Sequence, residues 1–364
     1  MLTPEDHLLM ARALRLAEHG LLTTTPNPRV GCVIVNHGEI VGEGWHEKAG
    51  EAHAEIRALQ ALQAVGAAAH GATAYVTLEP CSHYGRTAPC AEALIAAGIR
   101  RVVVAMADPN PLVSGRGLTR LEAAGITTVC GLMEEEAREL NVGFVSRMTR
   151  GRPWVRLKAA ASLDGKTALN DGQSQWITGN AARQDGHRWR ARACAILTGI
   201  GTVRCDDPQL TVRGIDTPRQ PLKIVVDSRL ELSPQARLFD GNAVLIVTAT
   251  GAAERIDRLR GCGAEVLVLP DRSGRVDLAA LMLELGRRGI NELHVEAGST
   301  LNGALLDSGL VDELLLYLAP CLIGNCARGL FDLPALASLE AKKVLAVREW
   351  RQIGEDLRLL ARLA

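Results

Sequence analysis

The feature that most constrains this chain is a set of three potential zinc ligands at widely separated positions. His53 lies in the run Glu-Ala-His-Ala-Glu, Cys81 follows Pro80 after an apolar stretch, and Cys90 follows Pro89. Three protein ligands leave one corner of a tetrahedron for water, and zinc lowers the pKa of that water from about 15.7 to roughly 7. A purely structural zinc site more often has a fourth Cys or His ligand. The set therefore predicts a hydrolytic zinc site.

A carboxylate, Glu55, stands two residues after His53. A carboxylate that does not bind the metal can take a proton from water and deliver it to a leaving amine, so we expect Glu55 to be the general acid/base. Residues i and i+2 do not share a face of a regular helix, and the metal must therefore lie at the helix end. A lone His or Cys is more often a core residue than a ligand. The order His-x-Glu, Pro-Cys, Cys, however, is that of zinc nucleobase deaminases.

Length and charge limit the classes of function that the chain can have. Its 364 residues favour two domains. The 41 basic and 41 acidic side chains balance, which argues against a large electropositive surface for nucleic acid. We expect a small-molecule substrate and no nucleic-acid partner. Nine cysteines, an odd number, are read as reduced thiols and predict a cytoplasmic protein.

The first residues predict a helix and not a signal peptide. Thr3 is a suitable N-cap, Pro4 suits the first turn, and Gly20 closes the segment. No apolar stretch approaches the roughly 20 residues that cross a bilayer, so we expect no membrane partner.

Short β-branched runs alternate with helical stretches in the first part of the chain. This alternation predicts a layered α/β domain with helices on both faces of the sheet and catalytic groups where strands lead into helices. The predicted helices include 53–65 and 90–97. The predicted strands are Gly31 to Val35, Ala72 to Leu78, Arg101 to Ala107 and Ile126 to Val129.

A polar stretch with Gly and Pro at 148–153 predicts the domain boundary, between a first domain at 1–148 and a second at 153–364. The second part again alternates strands and helices, which predicts a second α/β domain with its own sheet. Its predicted helices are 181–192, 252–259 and 278–288. Its predicted strands are 154–160, 195–199, 223–227, 244–248, 265–269, 293–296 and 313–318.

The N-terminal half resembles the cytidine-deaminase superfamily, which implies a three-layer α/β/α fold. It is most similar to the deaminase half of the RibD family, the bifunctional deaminase/reductases of riboflavin biosynthesis. The resemblance rests on Thr-Pro-Asn-Pro-Arg-Val-Gly-Cys at 25–32, His-Ala-Glu at 53–55 and Pro-Cys-Ser-His-Tyr-Gly-Arg-Thr at 80–87. The eight residues between Cys81 and Cys90 depart from the Pro-Cys-x-x-Cys spacing of other deaminases and are typical of this family.

The resemblance implies a diaminopyrimidinone substrate with a phosphoribosyl tail. Asn27, His46 and His83 would then contact the ring edge and the ribose, and Arg86 would hold the phosphate. Each residue also has an ordinary interpretation: Asn27 lies between prolines and could hold a turn, His46 could be a loop residue, and Arg86 could be a solvated charge.

The second half lacks the Gly-x-Gly-x-x-Gly fingerprint of an ordinary dinucleotide site. A different phosphate cradle is predicted where a strand ends at Glu296 and a helix begins. Glycine, small hydroxyl side chains and a helix N-terminus together offer N–H donors to a pyrophosphate, although such turns are common. The residues of this loop are Gly298, Ser299, Thr300, Leu301, Asn302 and Gly303.

The second half also resembles the reductase half of the same family, which has a dihydrofolate-reductase-like fold and uses NADPH. The similarity rests on the strings at 158–166, 174–178, 198–203 and 206–213. Together with the loop 298–303, the implied NADPH contacts are Ala160, Trp176, Thr202, Asp206 and Ser228. The implied substrate contacts are Ser174, Arg190, Leu210, Arg213 and Glu296.

Lys158 and Glu296 are the candidates for proton handling in the reduction, and an ordinary ion pair between strand ends is the alternative. The cofactors implied for the whole chain are one Zn²⁺ and NADPH, and we expect a homo-oligomer. Two other functions stay open: an RNA-editing deaminase with a binding module, and a protein in which only one half is active.

Overall fold

The computed structural model describes residues 2–82 and 89–363. The chain forms two compact units, Met1–Gly151 and Arg152–Ala364. Within the described ranges, no helix is both long enough and apolar enough to cross a membrane.

The first unit is built on a five-stranded mixed sheet. Its strand order is β2-β1-β3-β4-β5. β1 pairs antiparallel with both β2 and β3, whereas β3, β4 and β5 are parallel to one another. The strands are β1 Gly31–Asn36, β2 Glu39–Trp45, β3 Thr73–Val76, β4 Arg101–Val104 and β5 Thr127–Cys130. The helices are α1 Pro4–Glu18, α2 Ala54–Ala64, α3 Cys90–Ala96, α4 Arg116–Ala123, α5 Glu134–Leu140 and α6 Val142–Arg150.

Helices cover both faces of this sheet. A Cβ on Gly31 would lie 2.0 Å from the carbonyl oxygen of Ala13 in α1, so only glycine permits that approach. On the opposite face, a Cβ on Gly44 would lie 2.6 Å from the backbone nitrogen of Ala58 in α2. Because successive residues of a strand point to opposite faces, α1 and α2 lie on either side of β1 and β2.

The helix predicted at the N-terminus begins after Thr3, whose hydroxyl accepts from the Asp6 backbone N–H. The Asp6 side chain in turn accepts from the Thr3 backbone N–H at 2.7 Å, which completes a capping box. Asp6 is almost fully buried and also accepts from the Tyr75 hydroxyl at 2.7 Å and from Arg101 Nη1 at 2.8 Å. One carboxylate thus ties α1 to β3 and β4.

The second unit contains a nine-stranded sheet in the order β11-β10-β9-β8-β12-β6-β13-β16-β15. All neighbouring strands are parallel except β13, β16 and β15, which pair antiparallel. The strands of this sheet are β6 Trp154–Ser162, β8 Ala195–Gly199, β9 Leu222–Val226, β10 Val244–Thr248, β11 Ala264–Val268, β12 Glu292–Val295, β13 Glu313–Ala319, β15 Leu345–Ile353 and β16 Asp356–Leu363. Two short strands, β7 Lys166–Ala168 and β14 Arg328–Gly329, form a separate antiparallel pair. The helices are α7 Asn180–Arg192, α8 Ile200–Asp206, α9 Ala253–Gly261, α10 Leu278–Arg287 and α11 Ser299–Asp307.

The parallel strands bring their carboxyl ends to one edge of this sheet. β8 leads into α8 at Gly199, and the adjacent β12 leads into α11 at Gly298. The central strand β6 pairs with β12 on one side and β13 on the other, and the buried apolar residues of these strands form the core. α8 and α11 therefore begin beyond the carboxyl ends of the parallel strands, which is where ligands bind in open parallel sheets.

The predicted α/β class is confirmed in both units, and most predicted strands occur within a few residues of the observed bounds. The strand predicted at 72–78 is shorter, at Thr73–Val76, and the strand predicted at 154–160 is longer, at Trp154–Ser162. The antiparallel strands β2, β7, β14, β15 and β16 were not predicted.

Candidate active sites

The three proposed zinc ligands converge in the first unit. His53 is the N-cap residue of α2 and has an extended backbone, so its side chain lies at the helix end and not on a helix face. Cys90 is the first residue of α3, and Cys81 lies beyond the end of β3. The backbone N–H of Cys90 donates to Cys81 Sγ at 3.3 Å, and that of Ala91 donates to the Cys81 carbonyl at 3.1 Å.

The geometry of these ligand atoms fits zinc. His53 Nδ1 lies 3.7 Å from Cys81 Sγ and 3.3 Å from Cys90 Sγ, and all three ligand atoms lie within 4.8 Å of one another. Tetrahedral zinc with ordinary bond lengths places a nitrogen and a sulfur ligand about 3.6 Å apart. Over residues 2–82 and 89–363, no other group of three such side chains could hold a metal.

The surroundings of the ligands favour the protonation states that zinc requires. Hydrogen bonds from the Cys90 thiol and from His53 lower the pKa of Cys81, although burial opposes this, and thiolate is the form that binds metal. Glu55 lies in the first turn of α2 and is 3% exposed. Burial and the neighbouring Cys81 raise the pKa of Glu55 to about 7.

Asn27 and His46 form a hydrogen-bonded pair beside the zinc ligands. Asn27 Nδ2 lies 3.1 Å from His46 Nε2, and His46 Nδ1 lies 3.1 Å from the carbonyl oxygen of Ala52. The His46 ring is almost fully buried and packs edge-on against His53 at 5.3 Å. Both ring nitrogens of His46 therefore contact protein groups, and the Asn27 amide has capacity left for a ligand. His83 and Arg86 lie outside the described residues.

Sequence reasoning missed the residues that lie against Cys81 from the segment between β4 and α4. Asp108 and Val113 of this segment line a small pocket next to Cys81. The rest of its lining is Glu79, Pro80, Cys81 and Ser82. The string Asp-Pro-Asn-Pro at 108–111 predicts a turn, but nothing local in the sequence shows that this turn faces Cys81.

In the second unit, Glu296 is the centre of a charged cluster at the carboxyl edge of the sheet. Arg190 Nη2 donates to Glu296 Oε2 at 2.9 Å, and Arg190 Nε donates to Oε1. Lys158 Nζ lies 3.7 Å from Glu296 Oε2, and His294 Nε2 lies 3.3 Å from Oε1. Burial of Glu296 opposes ionisation, but Arg190 and Lys158 hold its pKa well below the usual range.

The segment before β9 is hydrogen-bonded to α7 beside this cluster. Arg190 Nη1 donates to the Thr211 carbonyl at 3.0 Å, and the Arg213 backbone N–H donates to His187 Nδ1 at 3.2 Å. Leu210 has a left-handed backbone, with φ of 51°, and its side chain is buried, so only its backbone can meet a ligand. His187 was not predicted, since its partner Arg213 lies far along the chain.

The predicted phosphate cradle lies at the start of α11. No side chain caps this helix, and its first N–H groups are left for a ligand. A Cβ placed on Gly298 would lie 3.8 Å from Thr202 Oγ1, and a Cβ on Gly199 would lie 3.2 Å from Leu301, so α8 and α11 begin side by side. These residues fit a pyrophosphate.

Three residues of the loop 298–303 also have structural contacts. Asn302 is buried, and its Nδ2 donates to the Ala297 carbonyl at 2.9 Å, whereas its Oδ1 has no hydrogen-bond partner. A Cβ on Gly303 would lie 2.1 Å from the carbonyl oxygen of Asp332, so Gly303 permits a close approach of that segment. Ser299 accepts the Asp332 N–H through its carbonyl, and Thr300 is exposed.

The other predicted contacts of this unit are more widely spread. Ala160 lies on β6 opposite Tyr317, and Asp206 is the last residue of α8. Ser228 follows β9, and its hydroxyl accepts from the Val276 N–H at 3.3 Å. Trp176 is exposed and stacks under the Arg183 guanidinium at 4.6 Å, and Ser174 lies in the same segment between β7 and α7.

Two family profiles match the chain, one in each unit. Residues 3–106 match the cytidine and deoxycytidylate deaminase zinc-binding region, and residues 153–359 match the RibD C-terminal domain. The riboflavin biosynthesis protein RibD of Escherichia coli is 50% identical, over 97% of this chain and 98% of its own. The protein of the same name from Bacillus amyloliquefaciens is 44% identical, over 98% and 96% of the two chains.

Solved structures are similar over nearly the whole chain. Acinetobacter baumannii RibD has a TM-score of 0.91 and 42% identity, with 99% of each chain covered. A diaminohydroxyphosphoribosylaminopyrimidine deaminase/5-amino-6-(5-phosphoribosylamino)uracil reductase from Thermotoga maritima has a TM-score of 0.89 and 33% identity, again with 99% of each chain covered. This chain therefore belongs to the RibD family of riboflavin biosynthesis, as a bifunctional enzyme with a zinc-dependent deaminase half and an NADPH-dependent reductase half.

Proposed function

We propose that this chain converts 2,5-diamino-6-(5-phosphoribosylamino)pyrimidin-4-one into 5-amino-6-(5-phosphoribitylamino)uracil in two steps. Residues 1–148 deaminate the ring, and residues 153–364 then reduce the ribosyl group with NADPH. The observation that carries the proposal is the convergence of His53, Cys81 and Cys90 around a position next to buried Glu55. The activities printed for the Thermotoga maritima protein support the choice of substrate.

In the deamination, His53, Cys81 and Cys90 would hold zinc. Zinc, when bound, supplies a water molecule that loses a proton near neutral pH. Glu55 takes that proton and passes it to the exocyclic nitrogen as oxygen bonds to the ring carbon, the carbon–nitrogen bond breaks, and ammonia leaves. Glu55 suits this work because it is buried at the helix end and is not one of the three clustered ligands.

For substrate binding in this unit, we propose that Asn27 contacts the ring edge directly. His46 holds the Asn27 amide in place, since both of its ring nitrogens face protein groups. His83 and Arg86 remain the proposed contacts for the ribose and the phosphate, on the evidence of the family resemblance.

NADPH, when bound in the second unit, would supply the hydride for the anomeric carbon, at which the sugar ring would open. The ring oxygen that leaves this carbon needs a proton, and we propose that Lys158 donates it. Glu296 is a weaker candidate for that donation, because its carboxylate is paired with Arg190 and held ionised. Its proposed role is to orient Lys158 and Arg190 toward the substrate.

The proposed substrate contacts of the second unit are Arg190 and Arg213, with Ser174, Leu210 and Glu296. Two arginines suit a sugar phosphate, since guanidinium groups bind phosphate bidentately. For NADPH, the uncapped start of α11 at 298–300 would receive the pyrophosphate. The further proposed NADPH contacts are Ala160, Trp176, Thr202, Asp206, Ser228, Leu301, Asn302 and Gly303.

We propose that the chain forms a homo-oligomer through the edge strand β15. Its outer row of backbone groups pairs with no other strand in the described ranges. The apolar side chains of Val347 and Trp350 on this strand are 48% and 58% exposed. A second copy of the same strand, related by a two-fold axis, would cover both the backbone groups and the apolar side chains.

We propose a cytoplasmic location, because the described cysteines are all free thiols and several are exposed. Fractionation of cells that produce the protein tests this: the cytoplasmic fraction is expected to contain it, and recovery from the membrane or an extracytoplasmic fraction would contradict the proposal.

Two variants of the full-length protein test which unit catalyses deamination and which catalyses reduction. Glu55→Ala is expected to release no ammonia from the diaminopyrimidinone while it still oxidises NADPH with the deaminated substrate. Lys158→Ala is expected to show the reverse pattern. Full deamination by Glu55→Ala, or loss of NADPH oxidation in that variant, would contradict the assignment.

A further inference from the structure

Glu79 is a buried carboxylate that no part of the chemistry above uses. It is 5% exposed and lies between β3 and the zinc ligand Cys81. Its Oε2 accepts from the backbone N–H groups of Asp108 at 3.0 Å and Gly115 at 2.9 Å. Its Oε1 accepts from Gly117 at 2.8 Å and, at 3.4 Å, from Leu118. One side chain thus holds four backbone groups far along the chain.

These four groups are the two ends of one loop and the start of one helix. Asp108 and Gly115 begin and end the loop 108–115, so a single oxygen closes it. Gly117 and Leu118 lie in the first turn of α4, which has no cap from its own N-cap residue, Gly115. A carboxylate is the favoured partner for such N–H groups, because they are unpaired within the helix and lie at its positive end.

The start of α4 is packed closely against the residue before Cys81. A Cβ on Gly117 would lie 2.0 Å from the carbonyl oxygen of Pro80, the residue before Cys81. The loop 108–115 supplies Asp108 and Val113 to the pocket beside Cys81. The shape of that pocket therefore depends on where the loop is held relative to Pro80 and Cys81.

We propose that Glu79 is a positioning residue of the deaminase site, which holds the loop 108–115 closed beside Cys81 as one side of the space that the pyrimidine substrate enters. This inference rests on the proposed deaminase function. Glu79 does not contact the reacting atoms. It sets substrate binding through the loop, and the zinc ligands keep their own hydrogen bonds.

The test is Glu79→Gln in the full-length, zinc-loaded protein. A glutamine amide presents only one acceptor oxygen, so about half of the backbone N–H groups lose their partner. We expect amide hydrogen exchange in the peptide 108–118 to become faster. We expect the KM for deamination to rise about tenfold with kcat changed by less, since each tenfold corresponds to the loss of roughly one charge-assisted hydrogen bond.

Two further variants and two control measurements accompany Glu79→Gln. Glu92→Gln removes a carboxylate that contacts α4 from the exposed surface, through Arg120, and is expected to change neither measurement. Gly117→Ala places a methyl group between the start of α4 and Pro80, and so displaces the backbone N–H groups that Glu79 accepts from. It is expected to reproduce both the faster amide exchange and the higher KM. Zinc content and the reductase activity should equal those of the wild type in Glu79→Gln.

Unchanged amide exchange at 108–118 in Glu79→Gln would overturn the inference, whatever the activity. Faster exchange with an unchanged KM would overturn it as well, because the loop would then not form one side of the space that the substrate enters. Absence of ammonia release by the wild-type protein is a different result, which would contradict the proposed function itself.

Discussion

Arg190 and Glu296 form a two-point ion pair at the carboxyl edge of the reductase sheet. Two guanidinium nitrogens of Arg190 contact the two carboxylate oxygens of Glu296, and its third nitrogen donates to the carbonyl of Thr211. The planar guanidinium suits this arrangement, because its nitrogens project in fixed directions. The pair therefore fixes the segment that carries Leu210 and Arg213 relative to the strand end at Glu296.

Arg190→Lys is expected to lower the reductase kcat/KM at least about tenfold, because lysine keeps the charge but cannot make the two-point contact. The measurement is NADPH oxidation with the deaminated substrate. Arg188→Lys is the control, since Arg188 is on the same helix but is mostly exposed. Equal losses in the two variants would show that the contact of Arg190 with Glu296 has no special role.

His187 is expected to make stability depend on pH. The pKa of His187 is lowered to about 4, mainly by burial and further by the positive charges of Arg190 and Arg213. A free histidine has a pKa of about 6.5. Between these values the unfolded chain takes up a proton that the folded chain does not, so stability falls as pH decreases from about 6.5 to about 4.

His187→Asn removes this titration and keeps an acceptor for the Arg213 N–H. The advantage in Tm of the wild type over this variant is therefore expected to be larger at pH 7 than at pH 5. Thermal unfolding of both proteins at the two pH values is the measurement. An advantage that does not change with pH would contradict the assignment.

Asp6→Asn is expected to destabilise the first unit by about 3 kcal/mol, because it leaves Arg101 without its buried partner. Burial opposes ionisation of Asp6, but hydrogen bonds from Arg101, Thr3 and Tyr75 hold its pKa well below the usual range. Its contribution is thus complete above the unfolded pKa of about 3.9 and is lost as pH falls toward the folded value.

The decrease in the free energy of unfolding caused by Asp6→Asn should accordingly be large at pH 7 and small in strong acid. Denaturant unfolding at both pH values measures it. Glu5→Gln, which changes an exposed neighbour in the same turn, is the control and should stay within about 0.5 kcal/mol of the wild type. A comparable effect in the control would rule out the buried pair as the cause.

Trp350→Asp is expected to reduce the oligomer to monomers, because it places a charge on the proposed contact strand. Sedimentation of the full-length protein measures the mass. Leu112→Asp is the matched control, since Leu112 is also an exposed apolar residue but lies in the first unit. A wild-type monomer, or an oligomer that Trp350→Asp leaves intact, would contradict the proposed surface.

Two of the strands that were not predicted, β2 and β15, depart from the local sequence pattern of a strand for reasons that only the folded structure shows. β2 contains Gly42 and Gly44, which weaken a strand pattern and are needed because the α2 backbone approaches closely at Ala58. β15 was missed because its pairing with β16 shifts register between Val347 and Glu349, which breaks the alternation of apolar and polar residues.

The zinc ligands could be predicted because His-x-Glu and Pro-Cys are short motifs with a fixed chemical meaning. Glu79 and His187 could not, because each acts on a backbone group that lies more than 25 residues away in the chain. Only the folded structure shows that Glu79 contacts the start of α4 or that His187 contacts Arg213.

The most direct test of the account is to mix the purified zinc-loaded protein with the phosphoribosyl diaminopyrimidinone and NADPH, and to follow ammonia release and NADPH oxidation together. We predict one ammonia released and one NADPH oxidised for each substrate consumed, with ammonia appearing first. NADPH oxidation without ammonia release, or no release of ammonia at all, would contradict the two-step function.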